Sequence, residues 1–308
     1  MNLNVLKFKL LLLTLVVGFS SCDKEDSLIP NNPEKVRLLK ILKYSNSTAS
    51  KLTGETIYAY DEAGNMVKES FYDCYSTTIL ERYNEYEYSG NKKTKKKIFD
   101  GVAGNPTLGS YIEYFYTGDL LVKEETRSGR EDYGSLVYSM NYEYDVNGNL
   151  VREYMYDPKY GIMGDMKYTY DNQNRLILEE NTAIDVNDYE YIKHIYDNNG
   201  RKIKMEYNNI NEELIQYTEI FYNGASKLPE KELNYDKNGT QTVKYQHYYD
   251  NLGNLTATVI NDECSKFKRK YNGNLLIEEI LYWWWEYGYF GTGQMPENGM
   301  SRYEYEEL

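Results

Sequence analysis

Tyr142-Glu143-Tyr144-Asp145-Val146-Asn147-Gly148-Asn149-Leu150-Val151-Arg152-Glu153-Tyr154-Met155-Tyr156-Asp157 reads as a strand, a tight turn and a second strand. Tyr142 and Tyr144 alternate with polar neighbours, the period-2 pattern of a half-buried strand. Asp145-Val146-Asn147-Gly148 fits a type I turn. Asp at its head accepts backbone N–H bonds, and Gly at its fourth position supplies the positive φ often needed there. Leu150 to Tyr156 returns as the second strand. The stretch predicts a β-hairpin that bends at Gly148.

The same hairpin recurs along the chain. Its second Tyr falls at Tyr60, Tyr88, Tyr116, Tyr144, Tyr170, Tyr196, Tyr222, Tyr249 and Tyr271, with a tenth candidate at Tyr305, and the first seven steps are 26 to 28 residues. Behind each of the nine stands a turn residue: Gly64, Gly90, Gly118, Gly148, Asn174, Gly200, Gly224, Gly253 and Gly273. Asn174 is the one substitute, and Asn is the next-best residue for a left-handed backbone. A fixed period of this size decides the architecture. It leaves the biochemistry open.

In the quoted unit Tyr138, Met140, Tyr142 and Tyr144 share one face, and Val137, Ser139, Asn141 and Glu143 the other. Stacked from unit to unit, the first face becomes a ladder of cross-strand aromatic pairs, each worth roughly 0.2–1 kcal/mol. A long flat sheet would leave that ladder exposed, so the sheet is expected to curl. The fold expected is therefore all-β: serial antiparallel hairpins over residues 36–308 forming a curled, solenoid-like or partly closed sheet. Val36–Tyr44 supplies its first strand or a cap. Each glycine turn falls on one edge. The variable connections Cys74–Glu81, Gly101–Ser110, Thr126–Leu136, Asp157–Asp165 and Asn181–Asp188 fall on the other, where binding specificity is more naturally placed.

Tyr144-Asp145-Val146-Asn147-Gly148-Asn149-Leu150 resembles the YD repeat of the RHS (rearrangement hot spot) family, whose core reads roughly Tyr-Asp-x-x-Gly-Arg/Asn-Leu. Tyr170-Asp-Asn-Gln-Asn-Arg-Leu176, Tyr196-Asp-Asn-Asn-Gly-Arg201 and Tyr249-Asp-Asn-Leu-Gly-Asn-Leu255 match it too, and the resemblance spans about residues 55 to 280. It implies hairpins arranged as a spiralling strip of sheet, which in that family can wrap into a shell around a toxin. This chain departs from the family in two ways. About nine units are too few for a large shell, and the family's C-terminal core segment with Asp-Pro-x-Gly has no counterpart, Asp157-Pro158-Lys159-Tyr160 not being one. Toxin encapsulation is not expected.

The chain has 308 residues, with 36 Tyr against 8 Phe and 3 Trp. A tyrosine ring can bury while its hydroxyl stays wet or finds a partner, which suits a thin core. The formal charge of -13 argues against a nucleic-acid partner, which needs a basic face. Lys92, Lys93, Lys95, Lys96 and Lys97 are the local exception, expected to guard an exposed surface or edge.

The N-terminus reads as an address. Met1–Lys9 carries two lysines, and Leu10–Val17 is an apolar run too short to span a bilayer. Phe19-Ser20-Ser21-Cys22 resembles the lipobox of bacterial lipoproteins, with Phe19 where Leu is usual. That resemblance implies a signal peptide over 1–21 and acylation of Cys22. Asp23-Lys24-Glu25-Asp26 is similar to the acidic signal that exports lipoproteins to the outer face of the outer membrane, and residues 22–35, with Pro30 and Pro33, read as a tether. The expected location is the outer membrane at the cell surface, with the lipid anchor at Cys22 as the membrane partner. Cys74 and Cys264 are expected as free or buried thiols without metal-site spacing.

No catalytic residue, metal site or cofactor is expected. His194 occupies the slot of Tyr142 and His247 a similar strand, so both read as ladder residues. Glu69, Glu153, Glu179 and Glu278 each stand five residues after a turn residue and form a row of carboxylates. Glycoside hydrolysis needs a pair of carboxylates, but with distinct environments, whereas a repeated row reads as a solvated face. The turn aspartates Asp61, Asp145, Asp171, Asp197 and Asp250 already serve the turn. The remaining candidate is Tyr282-Trp283-Trp284-Trp285-Glu286-Tyr287-Gly288-Tyr289-Phe290, with Tyr282, Trp283, Trp284, Trp285, Tyr287 and Tyr289 as either a hydrophobic plug or an aromatic binding platform. The function expected is a non-enzymatic binding or scaffold module on a surface lipoprotein, with a glycan or a cell-envelope protein as partner. A glycan-binding protein using the Trp/Tyr patch and a glycosidase-like enzyme using the Glu row are the alternatives.

Overall fold

A computed structural model describes residues 36–45, 48–130, 132–181, 190–261, 264–282 and 297–307. It contains twenty strands. The first ten are β1 (Val36–Tyr44), β2 (Leu52–Tyr60), β3 (Met66–Asp73), β4 (Ile79–Ser89), β5 (Lys92–Val102), β6 (Asn105–Thr117), β7 (Leu120–Ser128), β8 (Leu136–Tyr144), β9 (Leu150–Asp157) and β10 (Gly161–Tyr170). The second ten are β11 (Leu176–Asn181), β12 (Tyr191–Tyr196), β13 (Lys202–Asn208), β14 (Leu214–Tyr222), β15 (Pro229–Asp236), β16 (Gln241–Tyr249), β17 (Leu255–Ile260), β18 (Cys264–Asn272), β19 (Leu275–Tyr282) and β20 (Glu297–Glu307).

Every strand pairs antiparallel with its sequence neighbours, and β20 pairs with β1 from Val36↔Glu307 to Tyr44↔Met300. The sheet is therefore a closed up-and-down barrel. This corrects the expectation of a solenoid-like or partly closed sheet. Glu297–Glu307 pairs with β19 as well and carries Tyr303 and Tyr305, the latter 34 residues after Tyr271. A ten-hairpin sheet left open would expose two rows of unpaired N–H and C=O groups, and the last strand meeting the first removes both edges. Met300, at that seam, is 2% exposed.

All nine turn residues adopt positive φ, from 87° at Gly64 to 54° at Gly224, with the substitute Asn174 at 57°. At Asp145 the Gly148 amide donates to the Asp145 carbonyl (3.1 Å), and Asp145 Oδ1 accepts from the amides of Asn147 (2.8 Å) and Asn149 (2.9 Å). Asn149 Nδ2 returns to Asp145 Oδ2 (2.9 Å), and Arg175 and Arg201 make the same return to Asp171 and Asp197, each at 2.7 Å. The Asn or Arg behind Gly64, Gly148, Asn174, Gly200 and Gly253 thus closes a small ring with the turn aspartate. Gly90, Gly118 and Gly273 bend differently. Each is the first of two central residues between paired strand ends, Ser89↔Lys92, Thr117↔Leu120 and Asn272↔Leu275, as a type II′ turn requires.

The even-to-odd turns form one rim, and Val36 opens β1 on that same rim. The connections between odd and even strands form the other. Here the DxxG turn appears again at Asp236–Gly239, with Gly239 at φ 84°.

Period 2 and register assign the faces. Tyr222, Tyr249, Met205, Glu232 and His247, from β13 to β16, line one cavity and so mark the inner wall. Tyr142, Tyr144, Met140 and Tyr138 fall on it, as the sequence pattern requires. The inner wall holds the ladder. The hydroxyls of Tyr60, Tyr88, Tyr144, Tyr196, Tyr222, Tyr249, Tyr271 and Tyr305 donate to the carbonyls of Leu38, Met66, Leu121, Leu176, Lys202, Pro229, Leu255 and Leu276 at 2.7 to 3.1 Å. Each bond reaches back onto the preceding strand and ties one repeat to the last. Arg175 and Arg201 lie over the rings of the next ladder members, Tyr196 (4.7 Å) and Tyr222 (4.8 Å).

The lysine-rich strand guards no edge, since β5 is paired on both sides. Lys95 and Lys97 face outward onto Glu113 (3.1 Å) and Glu87 (2.6 Å), while Lys93 and Lys96 face inward over Tyr86. Cys74 is a free thiol, and the side chain of Cys264 lies outside the described residues.

Candidate functional site in the barrel lumen

At mid-height the inner wall carries Glu69, Glu124, Glu153, Glu179, Glu232 and Glu279 on odd strands. The next even strand faces each of them with a donor. The hydroxyls of Tyr86, Tyr142, Tyr168 and Tyr303 donate to Glu69 (3.0 Å), Glu124 (3.2 Å), Glu153 (2.7 Å) and Glu279 (3.5 Å). His194 Nε2 lies 2.7 Å from Glu179 Oε1, and His247 Nε2 3.4 Å from Glu232 Oε1. Both histidines therefore stand in tyrosine slots. Burial is the first cause raising the pKa of Tyr86, Tyr142, Tyr168 and Tyr303, with the facing carboxylate adding to it, so these rings stay protonated and donating at neutral pH.

Three of the four carboxylates of the sequence row, Glu69, Glu153 and Glu179, are in this ring. Glu278 is not: it faces outward, accepting from Lys270 (2.5 Å) and Arg302 (3.4 Å), and Glu279 takes the inner position on Arg269 (2.7 Å). The cause is the turn. The two-residue bend at Gly273 shifts the phase of the returning strand by one residue relative to the Asp-x-x-Gly bends. The same shift places Glu124 behind Gly118 and Lys96 behind Gly90. Reading the turn type beside each glycine would have found them. The row is thus a hydrogen-bonded lumenal ring rather than a solvated face.

One cavity of about 510 Å³ opens in the lumen near the glycine-turn rim, between β12 and β17. Tyr196, Tyr222 and Tyr249 wall it with their rings, because their hydroxyls are committed to backbone carbonyls. Burial pushes the Tyr249 hydroxyl up to about 12. Met205, Ile220 and Leu255 complete the apolar wall. Lys202 projects into it half-buried. Burial pulls the Lys202 pKa below its ordinary value, against the opposing influence of Glu179 and Glu232. His247 Nδ1 is 3.0 Å from Thr258 Oγ1, while its Nε2 is buried without a hydrogen bond.

The other candidates separate from this site. The turn aspartates spend their oxygens on backbone amides and on the Asn or Arg that follows. No cluster of metal-ligating side chains occurs among the described residues. Tyr282 ends β19, its side chain lying outside the described residues, as do Trp283, Trp284, Trp285, Tyr287 and Tyr289. Cys22, the expected lipidation site, also lies outside them.

Compared with family models and with curated proteins, the chain finds no match in either. Among solved structures it is similar to the TcdB2-TccC3-Cdc42 complex, at 16% identity and a TM-score of 0.45, over 77% of this chain and 13% of that one. It is similar to the Photorhabdus luminescens Tc holotoxin pore at 13% identity and a TM-score of 0.34, over 74% of this chain and 12% of that one. The chain therefore spans about an eighth of the length of these proteins. A porin-like protein from Bacteroides uniformis is similar at 12% identity and a TM-score of 0.30, over 90% of this chain and 99% of that one.

Proposed function

We propose that the chain is a surface lipoprotein with YD/RHS-like repeats, whose barrel stands in water beside the outer membrane and acts as a non-enzymatic binding or scaffold module. The observation that carries this reading is the outer wall. Lys68–Glu85, Lys95–Glu113, Arg152–Glu143, Arg152–Asp165, Lys204–Glu206 and Lys270–Glu278 are ion pairs on it, distributed from β3 to β19. Lys123 and Arg127 both pair with Glu125. A barrel that spans a bilayer shows lipid an apolar band between aromatic girdles, and each Lys or Arg at the midplane costs about 2–4 kcal/mol. This wall supports a barrel that stays out of lipid, so that membrane attachment falls to an acyl group on Cys22. The tether would then meet the barrel at the glycine-turn rim, where Val36 begins β1, and leave the variable rim pointing away.

The repetition of the lumenal ring supports the non-enzymatic half of the reading. Glycosidase chemistry needs one carboxylate pair with environments that push their pKa values apart, and here the same Glu-with-donor unit recurs around the wall. The test is fractionation of the full chain and its Cys22→Ala variant. Wild type should sediment with outer membranes, and the variant should be soluble without detergent. Alkali-resistant retention of the variant in membranes would sink the proposal.

A further inference from the structure

The lumenal cavity between β12 and β17 has no role in a barrel that only spaces other molecules apart. Its volume of about 510 Å³ is that of a small-molecule site. Its wall is three tyrosine rings and aliphatic side chains, an apolar surface with a few convergent polar groups. Those groups are unlike the rest of the molecule. In a chain of formal charge -13, the lining carries Arg201, Lys202 and Lys227 against the single carboxylate of Glu232. Arg201 is held by Asp197 and by the carbonyls of Gly224 and Ser226. Glu232 Oε1 lies 3.4 Å from His247 Nε2. The half-buried Lys202 lines the cavity, and its ammonium makes neither a hydrogen bond nor an ion pair among the described residues. A desolvated, unpaired ammonium is costly, and an incoming anion would remove that cost.

We infer that this cavity is a binding site for a small amphipathic anion, its apolar body laid against the rings of Tyr222 and Tyr249 and its carboxylate on the Lys202 ammonium. Lys227, exposed at the mouth, adds a second positive charge on the path of entry. The lowered pKa of Lys202 agrees with the geometry, since burial of the ammonium outweighs the pull of Glu179 and Glu232. The inference deepens the binding-module reading but does not depend on the surface address. Failure of the fractionation test would leave it standing, and its own failure would leave the address untouched.

The test is a head-group series on one body. The full chain is titrated calorimetrically at pH 7 with 2-naphthoate, 2-naphthamide and 2-naphthylmethylammonium. Naphthoate should bind at least tenfold tighter than either of the others. Lys202→Met should lower the naphthoate affinity at least tenfold and leave the amide unchanged. Lys202→Arg should retain most of it, and Lys204→Met, on the outer wall of the same strand, all of it. If Lys202→Met does not fold by circular dichroism, the wild-type series and Lys202→Arg decide alone. Absence of naphthoate binding to wild type, equal binding of the amide, or an unaltered Lys202→Met would each overturn the inference.

Discussion

Tyr144-Asp145-Val146-Asn147-Gly148 and Tyr235-Asp236-Lys237-Asn238-Gly239 are nearly the same five residues, and they make nearly the same turn. In both, the aspartate accepts from the amides two and four positions on, and the glycine sits at φ 84°. Their tyrosines do different things. Tyr144, at the glycine-turn rim, faces the lumen and ties its hydroxyl to the Leu121 carbonyl at 2.8 Å. Tyr235, at the opposite rim, faces outward, stacks on Tyr217 with ring centroids 4.8 Å apart and bonds Glu219. The local motif therefore fixes the bend, and the closed barrel fixes the use of the side chain before it.

The sharpest way to break that equivalence is to truncate the two tyrosines. Tyr144→Ala removes inner-wall packing and a repeat-to-repeat hydrogen bond, and should cost about 3–5 kcal/mol. Tyr235→Ala loses mainly one half-buried stacked pair on the outer wall, worth about 0.5–1.5 kcal/mol. Tyr→Phe isolates the hydroxyl. It should cost about 1 kcal/mol at position 144 and a few tenths at 235. Urea unfolding at constant m-value measures all four variants. Equal losses at the two sites would mean that the ladder bonds contribute nothing beyond burial.

The same comparison shows how far the sequence could be read. The hairpin, its period, the nine turn residues and the two faces of the quoted strand were all legible, because each is a local pattern within one unit. Closure was not. It depends on Glu297–Glu307 meeting Val36–Tyr44 across almost the whole chain, and neither strand carries a turn glycine of its own to announce it. The Tyr235 motif was passed over because it falls out of phase with the ladder. In the site, Glu69, Glu153 and Glu179 were found from spacing alone. Glu124 and Glu279 were missed because spacing was counted without the turn type. The cavity around Lys202 was illegible because six strands contribute to it, and nothing local marks a lysine as lacking a partner.

The turn aspartates should behave alike on both rims, whatever their tyrosines do. Hydrogen bonds hold the carboxyls of Asp145 and Asp236 below the usual value of 3.8, for Asp145 chiefly the Asn149 side chain and for Asp236 chiefly the Thr240 amide. A lowered folded pKa adds stability that is fully present above the unfolded value and is lost as pH falls through the folded one. Unfolding midpoints measured from pH 5 to pH 2 should therefore be level at first and fall below about pH 3.8. Asp145→Asn and Asp236→Asn should each flatten that fall to the same extent. A clear difference between them would show that the rim alters the turn as well as the tyrosine.

The smallest effect comes from the turn glycines. A Cβ at Gly148 meets nothing within 4 Å, and one at Gly239 would lie 3.7 Å from the Tyr217 hydroxyl, an ordinary contact. Neither substitution to Ala is blocked by space, so both should pay only the left-handed backbone penalty of about 1–2 kcal/mol. Asn174 already tolerates that conformation at φ 57°. Asn174→Gly should therefore gain at most a few tenths of a kcal/mol, since relief of strain is offset by the greater freedom of glycine in the unfolded chain. Asn174 Oδ1 also accepts from Asn149 Nδ2 of the neighbouring turn at 3.1 Å. A net loss on Asn174→Gly would mean that this contact between adjacent bends outweighs the backbone strain, and that the rim is stabilised from turn to turn as well as from strand to strand.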